Sequence, residues 1–156
     1  MTTLKKQTET YVLSDLDRLD LVTAYVTNYA AGEGKIVIEC YGRSWAAYWG
    51  GMTGLTLQKF LLTCNNDYIL GKLLEETEQT DFDKINEIAE RRGFSFHIDS
   101  DVQVAMHADE MAECFGGDWF MDLPRCTTSE YEYVGRILDA IKSAFSAELV
   151  NTIGEL

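Results

Sequence analysis

Proline is nearly absent, with Pro124 the single example in 156 residues, and histidine occurs only at His97 and His107. One proline leaves no proline-rich linker, and two imidazoles cannot build a poly-histidine metal centre within one chain. No run of 18 apolar residues exists, which excludes a transmembrane helix. Met1 to Glu9 lacks the apolar stretch of a signal peptide, so the cytoplasm is the expected compartment. The four cysteines, Cys40, Cys64, Cys114 and Cys126, form no C-x-x-C pair and read as reduced, mostly buried thiols. Neither a Gly-Lys-Ser/Thr loop nor G-x-G-x-x-G nor a D-x-D-x-D-G calcium loop is present, so nucleotide binding has no support and no cofactor is expected. Basic residues are scarce, 13 against 26 acids, for a net charge of −13. That balance excludes a mode in which the whole protein neutralises phosphates.

What remains describes a foldable chain. Hydrophobic residues make up 46%, charged residues 25% and aromatics 12%, and a chain of this length buries roughly 68–70% of its unfolded surface. No repeat, linker or low-complexity stretch divides it, so residues 1–156 are expected to form one domain behind a polar lead-in over 1–9. The acidity is unevenly placed. Residues 1–74 carry seven acids and seven bases, residues 75–122 carry fourteen acids and three bases, and the last 34 carry five acids and three bases. The middle 48 residues therefore hold −11 of the −13.

Periodicity assigns the elements. Residues 21–29 alternate Val22, Ala24 and Val26 against Thr23, Tyr25 and Thr27, and 35–41 alternate Ile36, Ile38 and Cys40 against Val37, Glu39 and Tyr41. These are two strands of a hairpin, joined by a five-residue turn over Ala30–Gly34. Tyr11–Leu13 adds a short strand. Ser44 is positioned to cap a short helix through Trp45–Trp49, with a continuing strand as the alternative. Thr56–Cys64 reads as a helix, and Asn65-Asn66-Asp67 caps another through Ile69, Leu70, Leu73 and Leu74. Thr77–Thr80 reads as a polar connection. Asp81–Arg92 is an amphipathic helix with Phe82, Ile85, Ile88 and Ala89 inward, closed by Gly93, and the pairs Glu87–Arg91 and Asp81–Lys84 lie at helical spacing.

Phe94, Phe96 and Ile98 alternate as a strand. Ser100 and Gln103 stand at capping-box spacing before a helix that Gly116-Gly117 ends, although Val102–Met106 also reads as a hairpin partner of the preceding strand. Thr127 and Glu130 form a second capping box, opening a long helix with Val134, Ile137, Leu138, Ile141, Phe145 and Leu149 on one face. Strands early and helices late, without a βαβ rhythm, give an α+β fold. It is a small antiparallel sheet built on the N-terminal hairpin, packed by several helices including a long C-terminal one.

Chemistry-bearing residues are few. His107 with Cys114 and Cys126 matches no zinc spacing, and a Cys–His nucleophilic pair has no local signature. Tyr41, Trp45, Tyr48, Trp49 and Met52 either form a core seam or supply one or two partner contacts, Trp45 and Trp49 being the candidates. The acidic segment reads either as a solvated helical face or as a docking patch for a basic protein surface. Glu75, Glu76, Glu78, Asp99, Asp101, Asp109, Glu110, Glu113, Asp118 and Asp122 are the carboxylates not obviously paired. At about one charge per 1.7 Å of duplex axis, the net −11 matches roughly 19 Å of DNA.

Two blocks carry a family resemblance. Lys35-Ile-Val-Ile-Glu-Cys-Tyr-Gly42, Trp45, Tyr48-Trp49-Gly50 and Asn65-Asn66-Asp67-Tyr68 form the first, and Phe115-Gly-Gly-Asp-Trp-Phe-Met-Asp-Leu-Pro124 with Glu130-Tyr-Glu-Tyr133 the second. Together they resemble small proteins encoded by enteric phages, prophages and plasmids, a family that carries no assigned catalytic residues. The resemblance implies an accessory role in the host bacterial cytoplasm, of the kind played by anti-CRISPR and anti-restriction inhibitors. The expected activity is thus non-enzymatic: a DNA-mimic-like protein that masks the basic nucleic-acid-binding surface of a host protein complex and itself touches neither nucleic acid nor membrane. The rival expectations are a small cysteine- or metal-dependent hydrolase or nuclease, and a regulatory or structural phage homodimer.

Overall fold

Four strands in sequence, β1 (Glu9–Leu13), β2 (Val22–Ala30), β3 (Glu33–Cys40) and β4 (Arg43–Trp49), form an antiparallel meander in the order β1-β2-β3-β4 in the computed structural model, which describes residues 1–154. Register sets Val22 opposite Cys40, Ala24 opposite Ile38 and Val26 opposite Ile36, then Ile38 opposite Trp45 and Ile36 opposite Ala47. Because side chains alternate between faces, every one of these residues lies on the same, buried face. Gly34 lies opposite Trp49, and a Cβ there would meet the Leu57 Cβ at 3.1 Å and the Met52 Cε at 3.2 Å. Glycine is what lets the next helix approach the sheet this closely.

The short helix through Trp45–Trp49 is replaced by β4. Tyr41 and Gly42 both take positive φ, 51° and 74°, the two-residue turn that folds a strand straight back on its partner. Trp45, Ala47 and Trp49 then point inward at period two, a spacing that Trp45 and Trp49 alone share with a helix. The β2–β3 connection is also tighter than five residues, since only Ala31 and Gly32 lie between the strands, and the register shifts between Asn28 and Ala30.

The buried face is covered by α1 (Leu57–Thr63), α2 (Asn66–Leu73) and α6 (Ser129–Gly154). Thr56 and Asn65 cap the first two through hydrogen bonds to Lys59 N and Tyr68 N. Val134, Ile137, Leu138, Ile141 and Phe145 make the inward stripe of α6. That helix begins at Ser129, one residue later than a Thr127 cap would start it. The α+β class, the N-terminal sheet and the long C-terminal helix are therefore as the sequence implied.

The chain divides into two compact units. The larger is Met1–Thr77 with the chain from Ser129 on, and the smaller, Glu78–Thr128, is inserted between α2 and α6. The smaller unit is closed at its base by β5 (Glu78–Thr80) and β6 (Arg125–Thr127), an antiparallel pair where a polar connection was expected. Its core is Ile85, Ile98, Val104 and Met111, flanked by Phe82, Phe96, Phe115, Trp119 and Leu123. Asp81 caps α3 (Phe82–Arg91) through Lys84 N, and Lys84 itself turns to Glu87. Asp81–Lys84 is thus a cap rather than a side-chain ion pair, whereas Glu87–Arg91 forms as spaced.

The strand expected over Phe94–Ile98 does not form. Its alternation is real, with Ile98 buried between exposed His97 and Asp99, but no second strand pairs with it. Instead Asn86 on α3 supplies both bonds of a strand partner. Its Nδ2 donates to the Ile98 carbonyl at 2.8 Å, and its Oδ1 accepts from the Ile98 N–H at 2.8 Å. The following helix is broken at His107 into α4 (Asp101–Met106) and α5 (Ala108–Phe115). Ser100 caps α4, while Gln103 reaches back to the Asp99 N–H at 2.7 Å.

Candidate functional site

Cysteine and histidine chemistry finds no assembled centre. Cys114 is buried, and the His107 ring stacks on Phe96 and meets Glu110 at 2.9 Å through Nδ1. Among the described residues no three His, Cys, Asp or Glu side chains converge as metal ligands. On the larger unit, a groove is lined by Asp20, Tyr41, Arg43, Ser129, Glu130 and Tyr133. Arg43 and the Trp45 indole N–H both bond Glu130 Oε1, and the Arg43 guanidinium lies 5.1 Å from the Trp45 ring. Tyr133 donates to Cys40 Sγ at 3.1 Å, and chiefly that bond pushes its phenol up to about 12. These contacts tie the start of α6 to β3 and β4, and Glu130 serves that tie.

Trp45 and Trp49, expected as candidate partner contacts, lie in the core rather than on the surface. They are 6% and 5% exposed, because β4 turns them into the core. Trp45 meets Tyr133 edge-on and Trp49 meets Phe60. The seam reading holds for Trp45, Trp49 and Met52, whereas Tyr41 and Tyr48 are 79% and 53% exposed and stand outside the core.

The acidic candidates separate into two sets. Glu75 and Glu76 fall in the larger unit, just beyond α2. Glu78 opens β5 and pairs with Arg125 at 3.6 Å. The other seven, Asp99, Asp101, Asp109, Glu110, Glu113, Asp118 and Asp122, all lie exposed within residues 93–124, a stretch without a single lysine or arginine. The smaller unit as a whole has twelve acids and four bases, a net of −8 in 51 residues. Its bases are committed outside that stretch or to its backbone: Lys84 and Arg91 to Glu87, Arg125 to Glu78, and Arg92 to the Cys114 carbonyl with its guanidinium over Phe115.

Local electrostatics explain only part of this. Asp101, Asp109 and Glu110 stand in the first turns of α4 and α5, where the helix dipole favours them. Glu113 stands three and four residues beyond Glu110 and Asp109, and like charges at that spacing cost about 0.2–0.5 kcal/mol each. A unit with a cluster of only four buried apolar side chains carries this repulsion in a stretch with no lysine or arginine to relieve it. The sequence reading missed two further exposed acids on the same unit, Asp83 and Glu90 on α3, although no base stands three or four residues from either.

Among the described residues no helix is long and apolar enough to cross a membrane. A family model described as "Phage family" matches residues 1–147 of the chain. No curated protein and no solved structure matches it.

Proposed function

The chain belongs to that phage family, and from this premise we propose that it is a non-enzymatic accessory protein that inhibits a nucleic-acid-targeting host defence complex. It docks the acidic stretch of its smaller unit onto a basic nucleic-acid-binding surface and blocks access there. The observation that carries this reading is the base-free stretch 93–124 with its seven exposed carboxylates. A field of one sign on one unit raises the association rate toward a basic surface and does little for the fold that bears it. The net −8 of the unit corresponds to roughly 14 Å of duplex at about 1.7 Å per charge, enough to fill part of a DNA groove.

The test is displacement. Fluorescent duplex DNA is bound to purified restriction or CRISPR effector complexes, and its release is followed as the protein is added. Release by the wild type at one complex, steeply reduced at higher salt, is the expected result. The variant D109K/E110K/E113K should lose release while keeping its far-UV spectrum and melting temperature. Equal release by the triple variant would contradict the acidic docking mode, and no release from any complex would contradict the proposed role.

A further inference from the structure

The stretch that carries the seven carboxylates also exposes four large apolar side chains. Val102 and Met106 are 68% and 76% exposed, and Phe120 and Met121 are 64% and 73% exposed. Val102 and Met106 stand at i and i+4 on α4 and so share its outer face, with exposed Ala105 beside them, while Val104 alone turns into the core. Asp101 precedes this pair, and Asp109 follows it in the first turn of α5, beyond the break at His107. Phe120 and Met121 lie in the 3-10 turn Trp119–Met121, with Asp118 before and Asp122 after. Each apolar pair is bracketed by exposed carboxylates.

A surface that only imitates a phosphate backbone has no use for exposed methionine and phenylalanine, which cost solubility and gain nothing from a charged groove. A protein interface uses them: apolar anchors, Met and aromatics among them, fill pockets at the centre, and charge forms the rim. A second copy of this chain is a poor occupant, because seven carboxylates without a base would face seven others. Charge complementarity selects a partner of the opposite kind. Resting on the proposed acidic docking, we infer that Val102, Met106, Phe120 and Met121 are anchoring side chains, and that the partner is a protein surface presenting apolar pockets within a rim of lysine and arginine. The acids then govern how fast the complex forms, and the anchors govern how long it lasts.

Two synthetic peptides of equal charge serve as probes, one of lysine and leucine patterned as an amphipathic helix, the other with every leucine replaced by serine. Binding is read by fluorescence anisotropy at 0.05 M and 0.5 M salt. The leucine peptide should bind at least tenfold more tightly than the serine peptide and persist at high salt, where the serine peptide is lost. V102S/M106S and F120S/M121S should each weaken the leucine peptide severalfold, and together bring it to the level of the serine peptide, whose own binding is unchanged. V12S/L21S, which removes exposed apolar groups from the larger unit, should change neither. Undiminished leucine-peptide binding by the fourfold serine variant would overturn the anchors and leave the acidic docking intact. Failure of both peptides to bind at low salt would overturn the docking itself, and the anchors with it. A concentration-dependent dimer abolished by the serine substitutions would overturn the choice of partner in favour of a second copy.

Discussion

The larger unit closes on a cluster of 21 buried apolar side chains beneath its sheet, whereas the smaller unit closes on four. Charge runs the other way. The larger unit carries a net −5 over its 105 residues and the smaller −8 over 51, with α4 and α5 free of lysine and arginine. A unit of about this size is marginal on burial alone, so the element with the least core bears the most self-repulsion. Folding physics explains the first unit by itself. For the second it leaves a remainder, the carboxylates of a stretch without lysine or arginine and the exposed apolar side chains among them, and that remainder is where function is to be sought.

Core truncation breaks the comparison most severely. Met111→Ala should cost about 2–5 kcal/mol, and in the smaller unit that is expected to collapse amide protection over α3–α5 while the sheet stays protected. Phe145→Ala should cost a similar amount and lower the melting of the sheet and α6 instead. Hydrogen exchange read residue by residue separates the two, and loss of protection in both units from either substitution would show them to be one cooperative body. Asn86→Ala comes next. It leaves the N–H and C=O of buried Ile98 without their partners, which should cost the smaller unit about 2–4 kcal/mol, visible as fast exchange at the Ile98 amide.

Tyrosine ionisation should act on one unit alone, since all eight tyrosines lie in the larger one. Tyr131 is held up to about 12 from its usual 10, first by donating to Asp67, and Tyr133 likewise by its bond to Cys40. A raised phenol contributes stability that is complete below pH 10 and is lost as pH climbs toward 12. The sheet unit should therefore loosen across that window while Trp119, the one tryptophan of the smaller unit, keeps its emission. Least is expected of Glu87→Gln. Its ion pairs with Lys84 and Arg91 are exposed, so denaturant midpoints should shift by less than about 0.5 kcal/mol.

The part of the fold that could be read from sequence is the part held by local rules. The hairpin, the Asn65 and Ser100 caps and the inward stripe of α6 each follow from spacing within one element, whereas Thr56 and Asp81 read as helix residues and turn out to be caps. What escaped is non-local. The β5–β6 ladder joins Glu78–Thr80 to residues 45 to 49 positions away, and its three-residue strands are too short to show a period. Phe94–Ile98 has a strand's alternation, yet its partner is one asparagine side chain. Trp45 and Trp49 suit a helix face and a strand face equally, and only the Tyr41–Gly42 turn decides between them. The acidic segment was visible as a count, but its edges were set by the fold: Glu75 and Glu76 belong to the other unit, and the core charge lies within residues 93–124.

The proposed docking requires that charge to act from the smaller unit alone. The direct measurement is the plating efficiency of a targeted phage on bacteria carrying an active restriction or CRISPR system and expressing the wild type, D109K/E110K/E113K, or the matched reversal D15K/D17K/D20K in the β1–β2 loop of the larger unit. Wild type and the loop reversal should both restore plating, and the smaller-unit reversal should not. Equal loss from both reversals, or no protection from the wild type, would contradict it.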